Sequence, residues 1–565
     1  MTTADWIVLA LYLAGTVGIG VLIGRLVRSS SDLFAAGRQS PWWMSGLSAF
    51  MTMFSANTFV VWGGIAYQHG LVAVAINICY GIAALLAGFT VAGRWNRLGI
   101  RTPAEYIERR FGVAALHFYT WFMMVFRLVG AGGALYAVAT LTIAAFGLGD
   151  GGAVIDPWWL YGAILVFALI IVAYTVVGGL WGVLMTDTLQ FLLLNLAILF
   201  VVILLGAQLG DWQTIQERLP DGFLALTGSR YTWFFLLGWV AIHYFMIGAE
   251  WAFVQRYLCV ESPRAARKST FLFAGLYLLS PVFWLLPTLL WRVRQPIPAG
   301  ADEQTVRQLT ETAYIMSCKA VLPTGLLGLM LAALFSATAS MISSQLNVFS
   351  AVLTQDVYRR YRGGEIDDQR LLRVGRWFTC LLGGLIALIA MATPALGGAA
   401  KVIIGVTQVM VTPLLAPALI GLVARRLDVS ALWLTVGICF PLGLLAQFTD
   451  WLAGSWYGDP TFLGVVLPVG IVLLRLLFRR QEAPGWQRLA DLPPPPTTTR
   501  PSRAAVLLPL QIIAWSLAVC AGIFLALIPL NAEHRTALGT TGMLLLLAAL
   551  GLWYATRRIG RGIAS

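Results

Sequence analysis

Apolar runs of about 20 residues, long enough to cross a bilayer as a helix, recur along all 565 residues of the chain. They predict helices near 5–27, 41–68, 70–93, 115–146, 158–178, 181–209, 231–257, 269–292, 314–358, 373–396, 399–424, 430–449, 461–478, 504–530 and 540–557, about 15 spans in all. One run departs from uniform hydrophobicity. In 332–358, AALFSATASMISSQLNVFSAVLTQDVY, the residues Ser336, Ser340, Ser343, Ser344, Asn347, Ser350 and Thr354 recur three or four apart and so share one helix face. A polar stripe inside a membrane must face protein, water or an ion. Small hydroxyl residues let helices approach closely, and a row of oxygens also suits a hard cation such as sodium.

Two other runs are interrupted. Ser55, Ala56, Asn57 and Thr58 sit in the middle of 46–64, GLSAFMTMFSANTFVVWGG, and Gly248 lies beside Glu250 in 240–256, VAIHYFMIGAEWAFVQR. Each opens a group of five helices. Broken helices at corresponding places in two halves point to a transporter site near the midplane, because unwound carbonyls can coordinate cations there.

Composition fixes the class. With 59% hydrophobic and 11% charged residues and a mean hydropathy of +0.80, the chain carries more apolar sequence than a water-soluble core can bury. It reads as an all-α polytopic membrane protein. The N-terminal MTTADW has no basic region before its apolar run, so the first span reads as retained. Six scattered cysteines without CxxC spacing indicate neither a disulfide framework nor a zinc site. No HExxH, GxSxG or paired-carboxylate motif is placed at a water interface, so no enzyme is expected.

Basic residues fall on alternate loops: Arg25, Arg28 and Arg38; Arg94 to Arg110; Arg256 to Lys268; Arg359 to Arg376; Arg425 and Arg426; Arg475 to Arg503; and Arg557 to Arg561. The opposite loops hold Asp150, Asp156, Asp211, Asp221, Asp450 and Asp459. The positive-inside rule then puts the N-terminus outside and the C-terminus inside the cell membrane. The net charge of +13 is thus topological, and the expected partners are the lipid bilayer and small solutes rather than nucleic acid. The stretch PPPPTTTRP at 493–501 reads as an extended cytoplasmic linker.

The chain resembles the solute:sodium symporter family. The resemblance is carried by Gly37 and Arg38 followed by Trp43, Gly46, Leu47 and Ser48; by Ser55, Ala56, Thr58 and Phe59; by Tyr67 with Gly70; by TVVGGLWGVLMTDTLQ at 175–190; by Gln255 and Arg256 before Ala265 and Arg267; and by 331–358 ending in TQDVY. It implies a LeuT-like five-plus-five inverted repeat over 41–209 and 231–424, alternating access around a central site, and sodium as coupling ion. An extra helix (1–40) would precede the repeats. Two peripheral helices (430–478), a Pro-rich linker (479–503) and two C-terminal helices (504–565) would follow.

The same resemblance implies site residues. The sodium site shared by most members would take carbonyl oxygens from Met51, Phe54 and Ala337 and the hydroxyl of Ser340. The next position, usually Ser or Thr in the family, is Met341 here, and a thioether is a poor ligand for a hard cation. A second site found in some members would use Asp187 with Ser340, Ser343 and Ser344, and is the expected home of the coupling ion. Substrate contacts would come from Thr52, Met53, Asn57, Thr58, His243, Met246, Ile247 and Gln408. Sugar carriers have an aromatic gate where Met246 and Ile247 stand and an amide near His243, which argues against a sugar of that type.

Arg127 and Glu250 are further intramembrane charges, at comparable depth on two different helices. Buried charges have a partner or a task. Either the two pair and hold helices together, or Arg127 or His243 engages an anionic solute, or Glu250 and His243 relay a proton. The leading expectation is sodium-driven uptake of a small polar or anionic organic solute. The alternatives are proton-coupled or uncoupled transport and, behind them, a membrane sensor of solute.

Overall fold

A computed structural model describes the backbone of residues 2–24, 38–100, 102–147, 157–209, 212–229, 231–362, 367–396, 399–448, 461–492 and 503–562. Among these residues the chain is helical and has no strand, only an isolated β-bridge between Ser40 and Val260. The helices are α1 (Thr3–Gly24), α2 (Trp42–Met53), α3 (Gly63–His69), α4 (Val72–Thr90), α5 (Pro103–Phe111), α6 (Val113–Phe146), α7 (Pro157–Leu209), α8 (Trp233–Ala249), α9 (Trp251–Leu258) and α10 (Pro263–Arg294). They continue with α11 (Glu303–Val321), α12 (Leu326–Val352), α13 (Asp368–Ala392), α14 (Ala399–Gly421), α15 (Val429–Phe448), α16 (Leu467–Phe478), α17 (Pro484–Ala490), α18 (Arg503–Ala526) and α19 (Arg535–Gly562), besides a few short turns.

Nine helices among the described residues are long and apolar enough to cross a membrane, and eleven if each of two bent pairs counts as one span. Four shorter apolar stretches, Thr3–Gly15, Leu194–Gln208, Met410–Gly421 and Phe462–Phe478, coincide with the remaining expected spans. Two boundaries differ from expectation. The spans at 158–178 and 181–209 form one run of helical backbone, α7, because no residue between them interrupts the backbone hydrogen bonding. The span expected at 314–358 begins only at Leu326: Pro323 cannot continue α11, and Gly325 at φ 91° takes a conformation that side chains disfavour.

Both expected interruptions are real. Helix α2 stops where Phe54 turns extended (φ −96°, ψ 132°), and the chain resumes at Thr58 after a bend of 59°. The resumed segment starts with a π-helical turn, Thr58–Trp62, a wide form that recurs at functional sites. The second break lies between α8 and α9, with Glu250 alone between them and a bend of 51°.

Helix α12 runs through the centre, against α1, α2, α6, α7 and α13. All its residues except Met341 are buried, so the hydroxyl stripe meets protein and not lipid. Its N-terminus is capped from outside its own segment: the Asp5 carboxylate of α1 accepts from Gly325 N at 2.9 Å and Gly328 N at 3.1 Å. Asn531, ahead of α19, brackets Thr324 through its N–H at 2.8 Å and its carbonyl at 3.0 Å.

Two arginines expected in loops are instead buried. Arg110 ends α5 and donates to Gly421 O (2.9 Å) and Ala424 O (2.8 Å), capping α14. Arg256 in α9 is fully buried. The positive-inside pattern counts a charge by its place in the chain and takes no account of how deeply a helix end is packed. Within the loop that begins at Arg479, α17 forms ahead of the proline run, with Trp486 over the guanidinium groups of Arg110 and Arg425. The proline run at 493–501 lies outside the described residues.

Candidate functional site

Two polar centres and one cavity meet at the broken helices. The first centre lies where α2 ends. Its free backbone groups are secured from α12: Thr338 Oγ1 accepts from Ala56 N at 2.9 Å and donates to Leu334 O at 3.1 Å. Phe54 N–H returns to Met51 O at 3.1 Å. The rings of Phe50 and Phe54 pack edge to face against Trp284, with centroids 5.2 and 4.4 Å away. Opposite, Ser340 Oγ is buried and makes no hydrogen bond of normal geometry, while Tyr174 of α7 donates to Ala339 O at 2.9 Å. An unengaged hydroxyl oxygen costs free energy in a buried site unless something binds it.

The second centre surrounds Asp187, which is fully buried on α7. Ser48 of α2 donates to its Oδ2, and Arg256 Nη2 lies 3.9 Å from the same oxygen. Arg256 also donates through Nε to Ser48 Oγ (3.2 Å), through Nη2 to Ser344 Oγ (2.6 Å) and through Nη1 to Ala252 O (3.2 Å). Thr52 Oγ1 donates to Ser48 O at 2.8 Å and stands 3.5 Å from Ser344 Oγ. Ser343 Oγ donates to Ser340 O at 3.0 Å. Asp187 Oδ1 keeps no hydrogen bond, and Ser340 neighbours the carboxylate. Of the residues expected at a second site, Ser340 and Ser344 lie at this centre with Asp187, Ser343 Oγ is turned to Ser340 O, and Ser48 and Arg256 join the group. In the sequence Arg256 was legible only as one of the basic residues on alternate loops and as part of the family resemblance, with nothing in the spacing to aim it at Asp187.

The cavity, about 120 Å³, opens between α2, α6, α8 and α12. Of the expected solute contacts, Thr52, Met53, Asn57, Thr58, Arg127, His243 and Met246 line it. Ile247 and Glu250 are buried and do not line it, and the Gln408 side chain lies outside the described residues. The lining also takes in Trp62, Tyr80, Phe126, Trp239, Met341 and Gln345. These aromatics gave no signal in the sequence, because a tryptophan facing a cavity and one facing lipid look alike in a uniformly apolar run.

Arg127 Nε stands 3.2 Å from Glu250 Oε1. Glu250 is fully buried, whereas the Arg127 side chain remains 15% exposed, toward the cavity. Its buried Nη2 has no hydrogen-bond partner. His243 donates from Nδ1 to Trp239 O at 2.8 Å and is held against the ring of Tyr80, with centroids 3.9 Å apart. That bond fixes the tautomer and leaves Nε2 as an acceptor when the ring is neutral.

A model of the sodium:solute symporter family matches residues 33–436. The chain is 26% identical over 480 residues to the sodium/glucose cotransporter of Vibrio parahaemolyticus, covering 79% of this chain and 85% of that one. It is 25% identical over 510 residues to the sodium/sialic acid symporter SiaT of Proteus mirabilis (strain HI4320), covering 86% and 97%. A solved structure of a Na+-coupled sialic acid symporter, substrate-bound and outward-open, matches with a TM-score of 0.70 at 22% identity over 85% of this chain and 99% of that one. The two share a fold.

Proposed function

The chain belongs to the sodium:solute symporter family, and from that premise we propose that it couples sodium entry to the uptake of a small anionic organic solute held at Arg127. As a multi-pass membrane transporter its partners are sodium and a small-molecule solute. The observation that carries the anionic reading is Arg127 Nη2, buried on the cavity wall without a partner. A guanidinium presents donors in a fixed fork that matches a carboxylate.

Sodium would sit at the carbonyls of Met51, Phe54 and Ala337 and the hydroxyl of Ser340. Thr52, Met53 and Met341, adjacent in sequence to those ligands, line the cavity, so ion and solute lie side by side. Charge supplies the coupling. Arg127 and Glu250 cancel, which leaves an entering carboxylate uncompensated in a site of low dielectric until sodium arrives. Asp187 with Ser340, Ser343 and Ser344 would form the second sodium site. There Arg256 acts as a tethered counter-ion, and sodium competes with its guanidinium for the carboxylate and for Ser344.

The fold reading that goes with this is a LeuT-like five-plus-five inverted repeat over 41–209 and 231–424, within about 15 spans, placed in the cell membrane with the N-terminus outside and the C-terminus inside. A proton taking the place of sodium is the second reading. It is favoured by Glu250, whose two carboxylate oxygens are buried without hydrogen bonds of normal geometry.

Thermal unfolding of the purified protein tests the proposal, because ligands of the folded state raise its apparent stability. Sodium should raise the unfolding temperature, and carboxylates should raise it further only when sodium is present. Carboxylate binding in sodium-free buffer that responds to pH instead would support the proton reading and overturn this one.

A further inference from the structure

Resting on the reading of an anion at Arg127, the geometry points to Gln345 of α12 as a further solute-binding residue that determines specificity. Together with Asn57 it selects a small carboxylate that carries a second, uncharged hydrogen-bonding group, of which a hydroxyl fits best. None of the solute contacts expected from the family resemblance lies on α12.

The placement of Gln345 follows from the helical repeat. Residues four apart stand one above the other on a helix, so Met341 and Gln345 present one edge of α12 to the cavity, which both line. Ser340 and Ser344, each one residue earlier, present the neighbouring edge to Asp187 and Arg256. The rotation of α12 that turns Ser344 to Arg256 thus turns Gln345 to the solute.

Gln345 is 2% exposed, and its Oε1 is buried with no hydrogen-bond partner among the described residues. Asn57 Oδ1, at the break after α2, is in the same state on the same cavity. Buried oxygens of this kind cost free energy unless a ligand donates to them. A side chain that only packed would need no amide, since methionine fills a similar volume with no amide to satisfy. The donors left unpaired in the lining are Arg127 Nη2, whose Nε faces Glu250 at 3.2 Å, and Trp239 Nε1. One cavity therefore offers a cation for a carboxylate and two amides for something else. A hydroxyl both donates and accepts, so it answers the amides whichever way they are turned.

Charge and size narrow the class. No Asp or Glu lines the cavity among the described residues. An ammonium group entering with the carboxylate would find no counter-ion there and would keep its desolvation cost. The volume of about 120 Å³ is below the roughly 150 Å³ of a cavity that takes up benzene. The solute therefore has about six heavy atoms or fewer, the size of a short hydroxy acid.

The test is thermal unfolding of the purified full chain in saturating sodium, titrated with lactate, propionate and alanine, because ligands of the folded state raise its unfolding temperature. Lactate should bind about tenfold more tightly than propionate, which lacks only the hydroxyl, and than alanine, which replaces it with an ammonium. Gln345→Met keeps the length of the side chain. It should bring lactate down to the affinity of propionate and change propionate by less than about twofold. Gln345→Ala is measured beside it, and either variant that folds carries the result. A merely structural role would lower the unfolding temperature without ligand and leave the preference for lactate intact. Arg127→Gln/Glu250→Gln should lose both acids. Propionate or alanine bound as tightly as lactate, or a preference for lactate that survives in the Gln345 variants, overturns this inference and leaves the anion reading standing. Binding of sialic acid in place of both small acids does the same. No carboxylate binding at all, with sodium still stabilising the protein, overturns the anion reading along with it.

Discussion

Asp187 and Arg256 decide the chemistry of the second centre at the scale of single residues. Both are fully buried, and Arg256 is bound to Ser48, Ser344 and the Ala252 carbonyl as well as facing the carboxylate. Removing one partner of such a pair leaves a buried charge uncompensated, at a cost of about 3–5 kcal/mol. Asp187→Asn should therefore lower the unfolding temperature sharply, and Asp187→Asn/Arg256→Gln should recover much of it, measured by thermal denaturation in detergent. If the second sodium site is the coupling site, both variants lose sodium dependence. Unchanged sodium dependence in the stable double variant excludes that role. At the first centre, Met341 lines the cavity beside Ser340, and if sodium is held there an oxygen at this position would add a ligand. Met341→Ser should lower the sodium concentration for half-maximal uptake by about tenfold, the value of one added charge-assisted contact.

The break in α2 is the element on which the site depends, and Thr338 holds it in shape from α12. Thr338→Val keeps the volume but leaves the Ala56 N–H without its acceptor, a loss of about 1–3 kcal/mol for a buried donor. Reduced thermal stability together with weaker sodium affinity is the expected result; weaker stability alone would show that the bond only supports packing. Both breaks were legible in the sequence, the first from the cluster Ser55 to Thr58 and the second from Gly248 beside Glu250, because small and polar residues in mid-span weaken a helix. The start of α12 was not legible. Hydropathy runs on across Val321 to Leu326, and Pro323 with Gly325 shows as a boundary only once the positive φ of Gly325 is seen.

At the scale of the whole molecule, the first helix and the turn between α18 and α19 converge on the start of α12 through Asp5 and Asn531. A Cβ at Gly328 would meet the Asp5 carbonyl oxygen at 2.1 Å. Gly328→Ala should thus separate α1 from α12, seen as faster proteolysis near the N-terminus and a lower unfolding temperature. On the face that carries α17, Asp428 binds Ser430, Arg475 and Arg479. Partial burial pushes its carboxyl up, but the Ser430 hydroxyl and the two guanidinium groups outweigh it and hold the group below its ordinary value. A depressed carboxyl stabilises the fold above its ordinary range and loses that contribution as pH falls through the folded value. Stability measured against pH should fall on the acid side, and Asp428→Asn should flatten that fall.

The sequence by itself determined what depends on local pattern: helices from apolar runs, breaks from polar clusters within them, and a hydroxyl face from a spacing of three and four. It also brought Asp187 and the serines of α12 into one list through family resemblance. Only the tertiary structure decided which charge answers which. Arg256 reads as a loop cation and lies in the core, Ile247 reads as a solute contact and is buried away from the cavity lining, and the aromatic lining had no signature at all. Periodicity specifies the face a residue occupies on its own helix, whereas a binding site is made by faces of several helices whose relative rotation is fixed by packing.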